Sequence, residues 1–155
     1  MTANTGRTVS RFVEFWFSDG TTMRELPVDA INGVGVTHAE VELTAFMDAI
    51  KGALPDTPDC QIDITGPFDS TANSAHDVLY AANGAMTPRS LDVKIGIRHA
   101  WVEGEPQFGI TATSTSGFIV TSYIVDVNTG KYSAKFRLFP GSSAPAWGTV
   151  AEAAS

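Results

Sequence analysis

The sequence predicts a mainly β fold, a β-sandwich or split barrel with one flanking α-helix. Three observations support this class. Several short segments alternate apolar and polar residues with a period of two, one segment alone has clear helical spacing, and the two patterns do not alternate along the chain. Side chains alternate across a strand, so the period of two indicates strands with one buried and one wet face. The absence of strand–helix alternation disfavours a parallel βαβ sheet.

The first predicted strand covers residues 11–17. Apolar side chains occur on both of its faces, which is typical of a central strand or of one covered by a second subunit. A turn at 18–20 leads to a predicted return strand at 21–26, which Pro27 ends. The two faces of the first strand are Val13, Phe15 and Phe17 on one side and Phe12, Glu14 and Trp16 on the other.

The next segment, residues 28–59, is patterned weakly. Gly33 and Gly35 interrupt 28–36, and residues 41–54 have no clean period of two. A short helix is predicted there, and 54–59 is predicted to be a loop before a strand at 60–65. The helical spacing rests on Phe46, Ala49, Ile50 and Ala53.

The strongest helical pattern lies within residues 69–83. Thr71 or Asn73 is predicted to cap its start, and Asn83–Gly84 to end it. Strands are predicted to follow at 91–97 and 108–114. The apolar positions at i, i+3, i+4 and i+7 of the helix are Ala75, Val78, Leu79 and Ala82.

Residues 118–139 predict a β-hairpin around the turn Asn128–Gly130. In the first strand, Ile119, Thr121, Tyr123, Val125 and Val127 are predicted to share a face. In the second, the apolar and polar faces are Tyr132, Ala134, Phe136 and Leu138 against Lys131, Ser133, Lys135 and Arg137. The remainder, from Pro140 on, is predicted to be a loose tail.

Composition predicts a single domain over residues 1–155, with an N-terminal arm at 1–8 and a C-terminal tail at 141–155. The formal net charge is −7, and residues 1–80 contribute twelve acids against four bases. This acidic half disfavours tight binding to a nucleic-acid backbone. Cys60 is the one cysteine, which excludes an internal disulfide. No segment has the length of a membrane span or an apolar signal core, so we expect neither membrane insertion nor secretion.

Motifs that carry chemistry are missing from the sequence. The three histidines have no metal-ligand spacing, and neither a G-x-S-x-G elbow nor a phosphate-binding glycine loop occurs. Adjacent helix residues point about 100° apart, so His76 and Asp77 do not form a catalytic pair. Glu103 and Glu105 are interpreted as solvated turn acids. We therefore expect no catalytic residue, no metal site, no cofactor and no enzymatic activity.

The aromatic residues allow two interpretations. Most occupy predicted inward positions, which favours core packing, and an exposed row of them would instead suit a carbohydrate-binding β-sandwich. Trp147 follows Ala144-Pro145-Ala146 in the predicted tail, where it either docks on its own sheet or inserts into a neighbour. A carbohydrate-binding module therefore remains the alternative function, as does another structural protein of a virion or secretion tube.

Several segments in order resemble the tail tube protein, or major tail protein, of long non-contractile bacteriophage tails, the siphophage type. They run through most of the chain and consist of residues 41–48 (VELTAFMD), 62–69 (IDITGPFD), 75–79 (AHDVL), 88–92 (PRSLD), 117–123 (GFIVTSY) and 144–149 (APAWGT).

The resemblance implies a virion structural protein without enzymatic activity, metal or cofactor. It implies hexameric rings that stack into a tube, assembled in the host cytoplasm, through which DNA is ejected without specific binding. The implied partners are other copies of the chain, a tape-measure protein inside the tube, the tail terminator and the distal tail or baseplate proteins. Net negative charge on wet faces suggests an acidic lumen.

Edge strands template pairing with another chain, so a ring protein can use them as contacts. The predicted subunit-interface residues come from aromatic positions, from the region 44–54 and from the basic face of the hairpin. They are Phe12, Trp16, Phe46, Met47, Asp48, Lys131, Lys135, Arg137 and Trp147.

Overall fold

A computed structural model of the chain describes residues 13–42, 52–96 and 103–150. Within these ranges the chain forms eleven strands and one helix. They are β1 (Val13–Ser18), β2 (Met23–Leu26), β3 (Ala30–Asn32), β4 (Thr37–Glu42), β5 (Ala53–Asp59), β6 (Gln61–Pro67), α1 (Ala75–Ala82), β7 (Leu91–Ile95), β8 (Pro106–Ile110), β9 (Phe118–Asp126), β10 (Lys131–Leu138) and β11 (Ala146–Thr149).

The strands form two antiparallel sheets and a separate two-stranded ribbon. The five-stranded sheet has the order β11-β8-β7-β1-β2, and the four-stranded sheet has the order β3-β6-β10-β9. β4 and β5 pair only with each other. The predicted mainly β class, a sandwich with one helix, is confirmed.

The core lies between the inner faces of the two sheets. Phe15 and Phe17 of β1 contact Phe136 of β10, with ring centroids 5.1 and 4.8 Å apart. The predicted inner face of β10 is confirmed, since Tyr132, Ala134 and Phe136 are buried. The Tyr132 hydroxyl donates a 2.6 Å hydrogen bond to the Pro27 carbonyl, which satisfies the one polar atom of that buried ring.

The predicted inner face of β9 is partly wrong. Phe118 and Val120 point into the core, whereas Ile119 was predicted to do so. The register with β10 shifts at Thr121, which is the extra residue of a β-bulge. A bulge changes the face of every residue beyond it, so Tyr123 lies on the inner face as predicted.

Helix α1 begins later than predicted, at Ala75. Asn73 has a left-handed φ of 64° and Ser74 is extended, so neither Thr71 nor Asn73 caps the helix. The carboxylate of Asp69 organises the preceding turn, because it accepts hydrogen bonds from the Thr71 amide and the Ser74 hydroxyl. The four predicted core positions of the helix are all buried.

Two further segments differ from the predictions. Residues 54–59, predicted to be a loop, lie in β5, and Ala53, assigned to a short helix, begins that strand. Proline is tolerated in strands that leave some amides unpaired, so Pro55 and Pro58 do not prevent a two-stranded ribbon. In the predicted loose tail, residues 146–149 form β11, which pairs with β8. Four residues are too few for a visible period of two.

The helix α1 marks one side of the sandwich. It contacts β9 and β2, which are the last strands of the two sheets on that side. The opposite side ends in β11 and β3. The body therefore has two lateral sides, named here the helix side (α1, β2, β9) and the open side (β3, β11).

Candidate assembly surfaces

The β4–β5 ribbon projects from the body without packing on it. All six residues of β4 and all seven of β5 are exposed. Val41 and Leu54 face each other in the register and are 42% and 54% exposed. A two-stranded hairpin without a packed face is only marginally stable in water. The ribbon therefore presents backbone and apolar surface that its own subunit does not cover.

On the helix side, four rings form what we call the aromatic cluster: Phe68, His76, Tyr80 and Tyr123. His76 and Tyr80 are four residues apart on α1, so their rings stack with centroids 5.6 Å apart. The Phe68 ring lies 5.0 Å from that of His76. Tyr80 is 72% exposed and Phe68 41%. The cluster is therefore an aromatic surface open to solvent.

A hydrogen bond fixes the centre of the aromatic cluster. His76 Nδ1 lies 2.9 Å from the Tyr123 hydroxyl. Burial raises the pKa of Tyr123, so the phenol stays neutral and can donate to an unprotonated ring nitrogen. His76 is thus a polar helix residue within an aromatic surface.

On the open side, Trp147 is the exposed aromatic. It stands opposite Phe108 in the β8–β11 register, and its ring centroid is 5.1 Å from that of Phe108. Phe108 is fully buried, whereas Trp147 is 55% exposed. Of the two interpretations offered by the sequence, the indole docks on its own sheet and still presents a free surface.

The outer face of the five-stranded sheet is mostly acidic. Glu14, Glu25 and Asp92 lie there around Lys94, whose ammonium group sits 4.9 Å from the centroid of the Trp16 ring. Burial and the nearby Glu25 carboxylate raise the pKa of Glu14, and burial raises that of Asp92. Glu25 therefore lies close enough to Glu14 to disfavour its charge, whereas Asp92 is affected by burial.

Part of this outer face has no side chains. Asp92 pairs with Gly109 in the register, and Gly109 pairs with Ala146. Gly148 lies next along the same edge strand. The bare backbone forms the floor of an open hollow of about 250 Å³, walled by Asp92 and Gln107. Glycine in a strand often marks a close approach of another backbone or ligand.

The outer face of the four-stranded sheet carries the three predicted basic residues of β10. Lys131 forms a 3.0 Å ion pair with Asp29 of its own chain. Lys135 stands directly opposite Asp63 in the register, and Arg137 opposite Gln61. Lys131 and Lys135 are exposed and Arg137 is half-buried.

The predicted interface residues do not form one patch. Trp16 and the basic residues lie on opposite outer faces, and Trp147 lies at the open side. Phe12, Phe46, Met47 and Asp48 lie outside the described residues. The aromatic cluster was not predicted from the sequence. The signal was present in the spacing of His76 and Tyr80, which places both rings together on the helix.

Two negative findings concern the described part of the chain alone. It contains no group of three His, Cys, Asp or Glu side chains placed to hold a metal ion. None of its helices has the length and apolar character needed to span a membrane.

No protein-family model and no curated protein sequence matches the chain. Solved structures do match it. The tube-terminating cap of the anti-feeding prophage aligns with a TM-score of 0.66 and 9% identity, over 97% of this chain and 96% of that one. The sheath/tube terminator of an extracellular contractile injection system (PVC) in its extended state aligns with a TM-score of 0.63 and 8% identity, over 90% and 95%.

A chain from the extended sheath–tube complex of the PVC system also aligns, with a TM-score of 0.60 and 8% identity over 92% of both chains. The chain shares their fold. At such low identity the match concerns the architecture, which covers nearly the whole length of both proteins. The cap, the terminator and the chain of the sheath–tube complex therefore share this sandwich.

Proposed function

We propose that this chain is a structural subunit of a phage-type tail tube, whose copies form hexameric rings that stack into a conduit for DNA ejection. The observation that carries the proposal is the fully exposed β4–β5 ribbon on a fold shared with tube-system proteins. A ribbon without a packed face gains stability only when something else covers it. Neighbouring copies in a tube would supply that cover.

Ring formation uses the outermost strands of the two sheets, where residues 83–89 already pair with the start of β9 at Phe118 and Val120. Each sheet ends in β2 or β9 on the helix side and in β11 or β3 on the open side. The helix side of one copy then meets the open side of the next, a head-to-tail contact that closes when the rotation fits. Closure also removes the exposed edges, which are otherwise sites of uncontrolled association.

Stacking uses the ribbon, together with the predicted contact residues Phe46, Met47 and Asp48 between its strands. A stacked tube then encloses a tape-measure protein and ends on terminator and distal tail proteins, in a virion tail. No step requires an enzyme, a metal or a cofactor.

The acidic outer face suits the lumen of such a tube. Glu14, Glu25 and Asp92 outnumber Lys94 there, whereas on the outer face of the four-stranded sheet three bases outnumber Asp63 and Asp126. Phosphate binding depends on Lys and Arg, so an acidic wall lets DNA slide past without sticking. We assign the lumen to the five-stranded sheet on this ground.

Electron microscopy and sedimentation of the purified protein over a wide concentration range test the proposal. We expect rings with six-fold symmetry that stack into tubes as concentration rises. A chain that stays monomeric at every concentration would contradict it. A monomer that binds sugars on a glycan array would favour the carbohydrate-binding alternative.

A second candidate is a tube terminator or cap. It is favoured by two of the matching structures, which are a tube-terminating cap and a sheath/tube terminator. The same experiment separates the two roles. A terminator forms single rings that do not stack with themselves, whereas a tube subunit forms rings and tubes.

A further inference from the structure

The two lateral sides of the sandwich each expose aromatic surface. The helix side carries the aromatic cluster, with Tyr80 72% exposed. The open side carries Trp147, which is 55% exposed although it packs on Phe108. Large exposed aromatic surfaces are unusual in a chain that works alone, and they mark contacts with partners.

The positions of these two surfaces are complementary. Phe15 and Phe17 of β1 lie against Phe136 of β10, so these two strands face each other across the core. Because α1 spans β2 and β9, the strands β11 and β3 end the same two sheets on the far side. The cluster and Trp147 therefore lie at opposite ends of one body.

The chemistry of the two surfaces also fits. The cluster offers the exposed ring of Tyr80, stacked on His76, beside the half-exposed ring of Phe68. An indole can pack on such rings in offset or edge-to-face geometry. Trp and Tyr are also the residues that dominate binding energy when a contact buries them.

We propose that Trp147 of one copy packs on the aromatic cluster of the next copy, around Tyr80 and His76. The inference rests on the proposed function, since it names the lateral contact of the ring. Each subunit carries Trp147 on one side and the aromatic cluster on the opposite side. A contact between the two is head-to-tail and repeats identically around a ring. The occupant of the cluster is thus a second copy of this chain.

Cross-linking between copies tests the contact. One preparation carries Tyr80→Cys and another carries Trp147→Cys. Because each substitution also weakens the contact, the two are mixed with a short bis-maleimide well above the concentration at which the unmodified chain assembles. The native Cys60 is buried and its pKa is raised to about 11, so it stays unreactive. We expect a covalent dimer from the mixture, and a ladder up to the ring size from a chain with both substitutions.

The matched control replaces Trp147→Cys by Lys135→Cys. Lys135 is exposed on the outer face of the four-stranded sheet, away from both lateral sides. Its mixture with Tyr80→Cys is expected to give no dimer. Rings or tubes that assemble without any Tyr80–Trp147 cross-link would overturn this inference and leave the proposed function standing. Absence of all assembly in the unmodified chain would remove both.

Alanine substitutions give an independent readout. Trp147→Ala and Tyr80→Ala should each raise the concentration needed for half assembly at least about tenfold, as expected for buried aromatic anchors. If the two residues touch, the double variant is little worse than either single one. Fully additive effects, or assembly at unchanged concentration, would contradict the contact. Thermal unfolding below the assembly concentration shows that each variant is folded.

Discussion

At the scale of the residue, Gly109 leaves room for a neighbouring side chain on the outer face of the five-stranded sheet. A Cβ built on it would meet the Leu91 carbonyl oxygen, the Asp92 Cα and the Asp92 carboxylate. Backbone atoms cannot yield as a flexible side chain does. The absence of a side chain at Gly109 therefore lets the Asp92 side chain lie over the strand, next to Gln107.

We expect Gly109→Ala to lower the free energy of unfolding by about 1–3 kcal/mol, the usual cost of forced overpacking. Urea unfolding of the two proteins measures it. Gly148→Ala is the matched control, because a Cβ there has no neighbour within 4 Å, and we expect a change within about 0.5 kcal/mol. If Gly109→Ala lowers the free energy of unfolding no more than Gly148→Ala does, the strand around Gly109 shifts freely enough to accept the added methyl group.

Single residues also explain what the sequence can and cannot predict. The inner face of β10 follows from its alternation, and so does the buried face of α1. Thr121 has no signal that marks it as a bulge, because a bulge depends on the partner strand, so Ile119 was placed on the wrong face. The sequence around Trp147 has no apolar periodicity that would predict its position. Its contact with Phe108 arises only because β11 pairs with β8.

At the scale of the element, the β4–β5 ribbon was the part least visible in the sequence. Residues 54–59 were predicted to be a loop, and no apolar period marked a strand. Periodicity reports burial on one face, and every residue of this ribbon is exposed. Strands whose residues are all exposed in their own subunit therefore carry no such signal.

We expect the ribbon to be dispensable for folding and required for assembly. Thr37 pairs with Asp59, so replacing residues 38–58 by Asn-Gly leaves a two-residue hairpin turn. The free energy of unfolding should change by less than about 1 kcal/mol, because none of the described residues between 38 and 58 belongs to the core. Sedimentation should show loss of stacking.

Val41→Ser with Leu54→Ser is the matched control for this deletion. It keeps the length of the ribbon and removes its directly paired apolar side chains. If both variants lose stacking, the contact depends on burial of the apolar side chains. If only the deletion loses it, the contact depends on backbone hydrogen bonds or on the length of the ribbon. A deletion variant that stacks normally would contradict the role of the ribbon.

At the scale of the whole molecule, the two outer faces differ in charge. The five-stranded sheet carries the acids around Lys94, whereas Lys131, Lys135 and Arg137 of the four-stranded sheet lie beside Asp63 and Asp126. Lys131 is already paired with Asp29 in its own chain, so Lys135 is the better candidate for an ion pair with a neighbouring copy outside the lumen. The difference in charge between the two faces favours one relative orientation when copies associate.

We expect Lys135→Glu to raise the concentration needed for half assembly roughly two- to fivefold, since exposed ion pairs contribute roughly 0.2–1 kcal/mol each. The effect should fade near 1 M salt, where the Debye length is about 3 Å.

The substitution also makes the net charge more negative by two units and places Glu opposite Asp63. The control is therefore Lys135→Glu with Asp63→Lys, which restores the net charge of −7 and the cross-strand pair while reversing the pattern. If the double variant assembles like the unmodified chain, net charge rather than the position of Lys135 governs assembly. If Lys135→Glu alone has no effect at low salt, the basic face takes no part in the contact.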